Sequence, residues 1–291
     1  MSQSIDQIMR LAPVIPVIVI DRVEDAVPMA EALVAGGLTV LEVTLRTPAA
    51  LDAIAAMKSV KGAVVGAGTV LDPAMLTGAI HAGAEFIVSP GLTDTLGKAA
   101  VASGIPFLPG IANAGDIMRG MDLGLDRFKF FPAATSGDIP ALKALAGPFG
   151  QARFCPTGGI SLATAPDWLA LEAVLCVGGS WVAPKDAMAK GDWAAITRLA
   201  REAAEGVPRK LVGLVLEDRG IARDGMGILV DGQPVGRVTS GALTPTLDRA
   251  IALGYVPPAN GAVDTVVAVD IRGRAVPARI VRRPFYKRPR T

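Results

Sequence analysis

Histidine and cysteine are almost missing from this chain, and each shortage narrows its chemistry. His81 is the single histidine, which excludes His-cluster metal centres and any Ser–His triad. Proton transfer is left to carboxylates, lysine, hydroxyls or water. The two cysteines, Cys155 and Cys176, each lie in an apolar strand-like run. That argues against a disulfide framework and for a reducing, cytoplasmic compartment. No signal-peptide pattern opens the sequence: its start is polar, and Pro16 interrupts the apolar run Val14 to Ile20. No uninterrupted apolar stretch is long enough to cross a bilayer, so a membrane is not an expected partner.

What is present is a globular composition, 51% hydrophobic and 19% charged, with ample material for a core. At 291 residues the chain suits one large domain and one small one. The net charge of +2 hides a break. Residues 1–204 carry 15 Lys+Arg against 19 Asp+Glu, whereas residues 205–291 carry 14 against 8. Such a change of sign marks a boundary.

From Ile15 to about Ser180 one rhythm repeats: a short apolar run, a turn, an amphipathic helical stretch. Strands are predicted at Ile15–Ile20, Val40–Leu45, Ala63–Gly68, Phe86–Pro90, Pro106–Gly110, Arg127–Pro132, Ala152–Thr157 and Ala173–Val177. Helices are predicted at Arg22–Ala35, Pro48–Ser59, Pro73–His81, Asp94–Ser103, Ala114–Leu123, Ile139–Ala146 and Trp193–Ala204. Eight alternating units imply a parallel sheet closed into an α/β (β/α)8 TIM barrel, with a doubly wound open sheet as the alternative. Glu205-Gly206-Val207-Pro208 stops the last helix, so 1–204 reads as the barrel and 205–209 as a linker. From 210 to 291 the runs are short and turn-separated, and Asp231-Gly232 signals a hairpin. This part reads as a small all-β barrel-like domain with one short helical piece near Thr246–Leu253. Its basic end, Arg279 to Arg290, has only Phe285 and Tyr286 as interleaved aromatics, so nucleic acid is not the expected partner.

Chemistry concentrates at the strand ends. In Arg127-Phe128-Lys129-Phe130-Phe131-Pro132 a lysine sits among phenylalanines, where lost hydration disfavours its charged form. A neutral amine there could form a Schiff base; a snorkelling lysine on an edge strand is the other reading. Period 2 puts Glu42, Thr44 and Arg46 on one face of their strand, and Lys129 with Phe131 on one face of theirs. Inside a barrel, Glu42 and Lys129 can then meet, unless Glu42 and Arg46 merely neutralise one another. Gly66-Ala67-Gly68-Thr69 adds a hydroxyl. The pairs Gly158-Gly159 and Gly178-Gly179, the latter followed by Ser180, expose backbone N–H groups at adjacent loops, where a phosphate commonly sits, although glycines also simply make turns. A lysine amine, a proton-moving carboxylate, a carboxylate-clamping arginine and a phosphate cradle together suit a class I aldolase acting on a phosphorylated 2-keto acid without metal or cofactor.

Residues 1–204 resemble the 2-keto-3-deoxy-6-phosphogluconate (KDPG) aldolases. The resemblance rests on Pro16-Val17-Ile18-Val19, Leu41-Glu42-Val43-Thr44-Leu45-Arg46-Thr47, Gly66-Ala67-Gly68-Thr69-Val70, Ser89-Pro90-Gly91, Phe128-Lys129-Phe130-Phe131-Pro132, Arg153-Phe154-Cys155-Pro156-Thr157-Gly158-Gly159 and Gly178-Gly179-Ser180-Trp181. It implies Lys129 as the Schiff-base lysine, Glu42 as general acid/base, and Arg46 with Thr69 as pyruvate-binding groups. Pro90, Phe131 and Thr157 would line the pocket, with Gly158, Gly159, Gly179 and Ser180 near the phosphate. It also implies a homotrimer that releases pyruvate and glyceraldehyde 3-phosphate. The chain departs from the pattern at Ala134, where the family often has Glu, and at Asp138, where glycine is usual; both bear on the sixth loop and its phosphate contacts.

Residues 208–288 resemble the C-terminal domain of the glycine-cleavage T-protein, an aminomethyltransferase. Arg209-Lys210-Leu211-Val212-Gly213-Leu214, Gly236-Arg237-Val238-Thr239-Ser240-Gly241, Gly254-Tyr255-Val256-Pro257, Pro277-Ala278-Arg279 and Pro284-Phe285-Tyr286 carry the likeness. The part that holds most of that family's folate and catalytic site is absent, so no aminomethyltransferase activity is expected. The joining of two modules from unrelated steps reads as an engineered fusion, with a natural gene fusion as the alternative. In the engineered case the barrel could serve as a scaffold for a trimer or a larger designed assembly.

Overall fold

The computed structural model describes residues 3–205, 210–244, 249–257, 260–282 and Phe285. The chain divides into two compact units, Met1–Val207 and Pro208–Thr291.

The first unit begins with α1 (Ile5–Met9), whose start is closed by a capping box: Gln7 N–H donates to Ser4 Oγ, and Ser4 N–H to Gln7 Oε1. Eight parallel strand positions follow: β1 (Val14–Ile18), β2 (Val40–Thr44), β3 (Val64–Gly68), β4 (Ile87–Val88), the pair β5 (Phe107–Leu108) and β6 (Gly110–Ile111), β7 (Arg127–Phe130), β8 (Arg153–Pro156) and β9 (Val177–Gly179). β5 and β6 are one predicted strand interrupted at Pro109, which has no N–H to give the ladder. Its carbonyl still accepts from Lys129 N–H at 2.8 Å. Parallel pairing runs β5-β4-β3-β2-β1-β9 on one side and β6-β7-β8 on the other. The bridges Phe154–Val174 and Thr157–Gly178 join β8 to the last strand and complete the ring.

Between strands lie α2 (Ala26–Ala35), α3 (Ala50–Met57), α4 (Pro73–His81), α5 (Asp94–Ser103), α6 (Ala114–Asp122), α7 (Asp138–Ala146) and α8 (Ala165–Leu169), with α9 (Lys185–Lys190) and α10 (Trp193–Glu205) after the ring. The sequence states where several of them start. Asp72, Thr93 and Asn113 accept from the N–H of Met75, Leu96 and Asp116, satisfying donors that a helix start leaves unpaired. Aliphatic and aromatic side chains fill the layer between strands and helices, among them Ile18, Leu33, Leu41, Ile54, Phe128 and Phe154.

A separate apolar cluster fills the inside of the ring: Ile15, Val40, Phe86, Val88, Leu108, Cys155 and Cys176, closed from below by Ile8 and Met9 of α1. α1 is tied there by Asp6, whose Oδ1 meets Arg127 Nε at 2.6 Å and whose Oδ2 meets Arg10 Nε at 2.8 Å. The hydrogen bond from Arg10 and then that from Arg127 hold the Asp6 carboxyl below its ordinary value, against the effect of burial. A depressed carboxylate stabilises the fold above its unfolded-state value and loses that contribution as pH falls through the folded one. Thermal melts of the wild type and Asp6→Asn should therefore differ at neutral pH, by about 1 kcal/mol or less for so exposed a pair. The gap should close below about pH 4; a gap that persists in acid would contradict this role.

The second unit is a closed antiparallel ring in the order β10 (Lys210–Leu216), β13 (Arg249–Val256), β12 (Gln233–Thr244), β11 (Gly227–Val230), β14 (Val266–Ile271) and β15 (Arg274–Val281). Its core, including Val212, Leu214, Ile228, Val238, Val267, Val269 and Ile280, comes from inward positions along the strands. Asp231 and Gly232 form the predicted two-residue turn, both at positive φ (51° and 77°), with Val230 facing Gln233 across it. The helical piece expected near Thr246–Leu253 is corrected: residues 249–253 belong to β13. Ladders to β10 on one side and β12 on the other override the local helical spacing. Thr246 to Asp248 lie outside the described residues. Of the basic terminus, Arg279 is in β15 and pairs with Glu217 at 2.7 Å, while 283, 284 and 286–291 lie outside the described residues. No described helix is long and apolar enough to cross a membrane.

Candidate active site

The eight parallel strands aim their C-terminal ends at one rim, where this architecture assembles reactive side chains from several strands. Glu42 is central in β2 and Lys129 in β7, on opposite sides of the ring. Their side chains cross the lumen and meet: Lys129 Nζ donates to Glu42 Oε1 at 2.9 Å, with 7% and 4% of the two side chains exposed. Lys129 and Glu42 thus meet as the strand alternation predicts, and Glu42 pairs with the lysine rather than with Arg46. Phe128 and Phe130 point away into the strand–helix layer, so the alternation turns Lys129 to the opposite, inward face. Phe131 lies beside it, the ammonium 5.4 Å from the ring centroid.

The remaining predicted residues are distributed along the same rim. Arg46 follows β2 by two residues, is exposed, and has no carboxylate within ion-pair distance among the described residues. Thr44, on the same alternation, is buried and spends its hydroxyl on the Ile18 carbonyl at 2.9 Å. Thr69 directly follows β3 and holds φ at 58°, a left-handed conformation uncommon for threonine. Pro90 follows β4, and a methyl on Gly110 would overlap its carbonyl, so the chain passes close there only because residue 110 is glycine. Thr157 is buried at the end of β8, with no room for a side chain on Gly178 beside its hydroxyl. Gly158 packs against Phe131 and Pro132, and Gly159 against Ala134.

The β7 and β8 loops remain hydrogen-bonded past the strands, Ala133 N–H to Thr157 O at 2.8 Å and Ala134 N–H to Gly158 O at 3.1 Å. These bonds tie the end of the lysine strand to the glycine loop. Asp138, where glycine is usual in the resembling family, adopts φ 58°, a region aspartate enters more readily than most residues. Gly179 leaves space for the Trp181 ring, and Ser180 is exposed beside it. Both glycines of the last pair thus serve packing, against Thr157 and Trp181, a role the sequence did not announce.

Below the pair, Cys155 and Cys176 are free and buried. A hydrogen bond with Cys155 and then burial push the Cys176 thiol well up, and it packs within the apolar filling of the lumen. Among the described residues no three His, Cys, Asp or Glu side chains gather as a metal site.

A parallel eight-unit barrel carrying a buried lysine–carboxylate pair at its rim defines the class as a barrel aldolase, a lyase. The family profile "KDPG and KHG aldolase" matches residues 5–199, and the chain belongs to that family. The profile "Glycine cleavage T-protein C-terminal barrel domain" matches residues 209–287. The 2-dehydro-3-deoxy-phosphogluconate aldolase of Zymomonas mobilis is 63% identical over 202 residues, covering 69% of this chain and 96% of that one. Among solved structures, the Z. mobilis 2-keto-3-deoxy-6-phosphogluconate aldolase with 3-phosphoglycerate is similar at a TM-score of 0.67 and 64% identity, over 69% of this chain and 94% of that one. A Legionella pneumophila KDPG aldolase, with pyruvate captured at low pH as a covalent carbinolamine intermediate, has a TM-score of 0.68 and 46% identity, over 69% and 98%.

Proposed function

We propose that the N-terminal unit is a class I aldolase that cleaves 2-keto-3-deoxy-6-phosphogluconate to pyruvate and glyceraldehyde 3-phosphate. The observation that carries this reading is the buried contact of Lys129 Nζ with Glu42 Oε1. The carboxylate takes a proton from the ammonium, and the freed amine adds to the C2 ketone as a carbinolamine. Glu42 returns the proton to the departing hydroxyl, water leaves, and the iminium forms. Glu42, a carboxylate again, takes the C4 hydroxyl proton as the C3–C4 bond breaks, and later returns it to C3. The electron pair of that bond moves into the iminium, giving an enamine on Lys129 and free glyceraldehyde 3-phosphate. Protonation at C3 and addition of water release pyruvate and restore the amine.

Arg46 with Thr69 holds the substrate carboxylate, Pro90, Phe131 and Thr157 line the pocket, and Gly158, Gly159, Gly179 and Ser180 receive the phosphate through N–H and hydroxyl donors. We read the reaction as independent of metal and the compartment as cytoplasmic. The working form is a homotrimer, and the C-terminal unit is a passenger or interaction module without aminomethyltransferase activity. An engineered origin of the joined chain belongs to the same reading, and light scattering bears on it: a mass beyond a trimer would favour a designed assembly.

Incubation with pyruvate and borohydride should leave one irreversible adduct, mapped by peptide mass spectrometry to Lys129. A folded protein that gains no adduct would overturn the Schiff-base reading.

A further inference from the structure

Glu42 lies along β2, and its carboxylate reaches past its register partner Gly66 toward Gly68, the next residue of β3 on the same face. Gly66 and Gly68 look alike in sequence but vacate different volumes. A methyl on Gly66 would run into the Phe86 ring at 2.5 Å, in the apolar filling of the lumen. A methyl on Gly68 would overlap Glu42 Oε1 and lie 2.6 and 2.8 Å from its Cγ and Cδ. Real carbon atoms do not approach so closely, so the Glu42 side chain would have to shift. Oε1 is the same oxygen that holds Lys129 Nζ at 2.9 Å. Nor does the backbone call for glycine here: φ at Gly68 is outside the left-handed region, in an ordinary parallel ladder with Thr44 opposite. A strand glycine without a conformational reason marks a close approach by another group.

We infer that Gly68 is a positioning residue for the reaction, a missing side chain that seats the Glu42 carboxylate against Lys129. The inference rests on the reading of Glu42 as the proton-transfer group. Its action is purely steric, so it disappears when the Glu42 side chain is removed.

The test is a cycle of Gly68→Ala, Glu42→Ala and the double variant, read by kcat, KM and melting temperature. Gly68→Ala should lower kcat by about 10² to 10³, within the range of a displaced proton-transfer group, and change KM less than threefold. Added to Glu42→Ala, the same substitution should change kcat less than twofold. The melting temperatures should reverse in sign: the added methyl lowers that of the wild type but raises that of Glu42→Ala, where it fills vacated space. Should Gly68→Ala fail to fold while the double variant folds, the steric link to Glu42 is upheld. A folded, active Gly68→Ala, or equal losses in both backgrounds, would overturn the inference. Full activity of Glu42→Ala alone would instead overturn the reading of Glu42 beneath it.

Discussion

Lys129→Ala is expected to lower kcat/KM by a factor on the order of 10⁵ or more, as loss of a covalent nucleophile does. The borohydride-trapped adduct should vanish with it. The substitution also strands Glu42, whose side chain is only 4% exposed and whose Lys129 partner is removed. Breaking a buried pair from one side costs roughly 3–5 kcal/mol, unless the carboxyl takes up a proton. Activity and stability must therefore be measured apart. Lys129→Met keeps most of the lysine volume and should be as inactive as the alanine variant while melting higher. A methionine variant that retains cleavage, or an adduct that survives at another residue, would refute Lys129 as the nucleophile.

Glu42→Gln carries the second large effect. The amide keeps the shape of the side chain, and its carbonyl oxygen can still accept from Lys129, so folding should be little changed. It cannot relay a proton, and kcat should fall by about 10² to 10⁴. KM should move little, because binding of the substrate carboxylate and phosphate is assigned to other residues. The same variant should still form the adduct at Lys129, only more slowly. Unchanged turnover would remove Glu42 from the mechanism, and a complete loss of adduct would point instead to a collapsed site.

Much of the barrel was legible because its signals are local. Pro73–His81 and Asp94–Ser103 have the predicted bounds, since Asp72-Pro73 and Thr93-Asp94 state the cap chemistry in the sequence. Other parts were silent. α1, α8 and α9 are five or six residues long, too short for a periodic pattern to emerge. The last strand was expected at Ala173–Val177, but its ladder with β1 runs from Val177 to Gly179, where glycines hide the strand. At the site, alternation in Val40–Thr44 and Arg127–Phe130 was enough to bring Glu42 and Lys129 together. The left-handed Thr69 and the volumes left by Gly68, Gly178 and Gly179 were beyond its reach. They depend on which side chain arrives from the neighbouring strand, and no spacing within one strand encodes that.

The ring formed by β10 through β15 has one more consequence. Every strand in it has a neighbour on both sides, so unpaired edge is confined to short stretches such as Ser240–Thr244, where β12 runs past β11 and ladders only to β13. A ring with so little free edge carries little risk of edge-to-edge aggregation. A partner of this module would therefore be recognised mostly through side chains and turns, because main-chain strand capture has only such short stretches on which to begin.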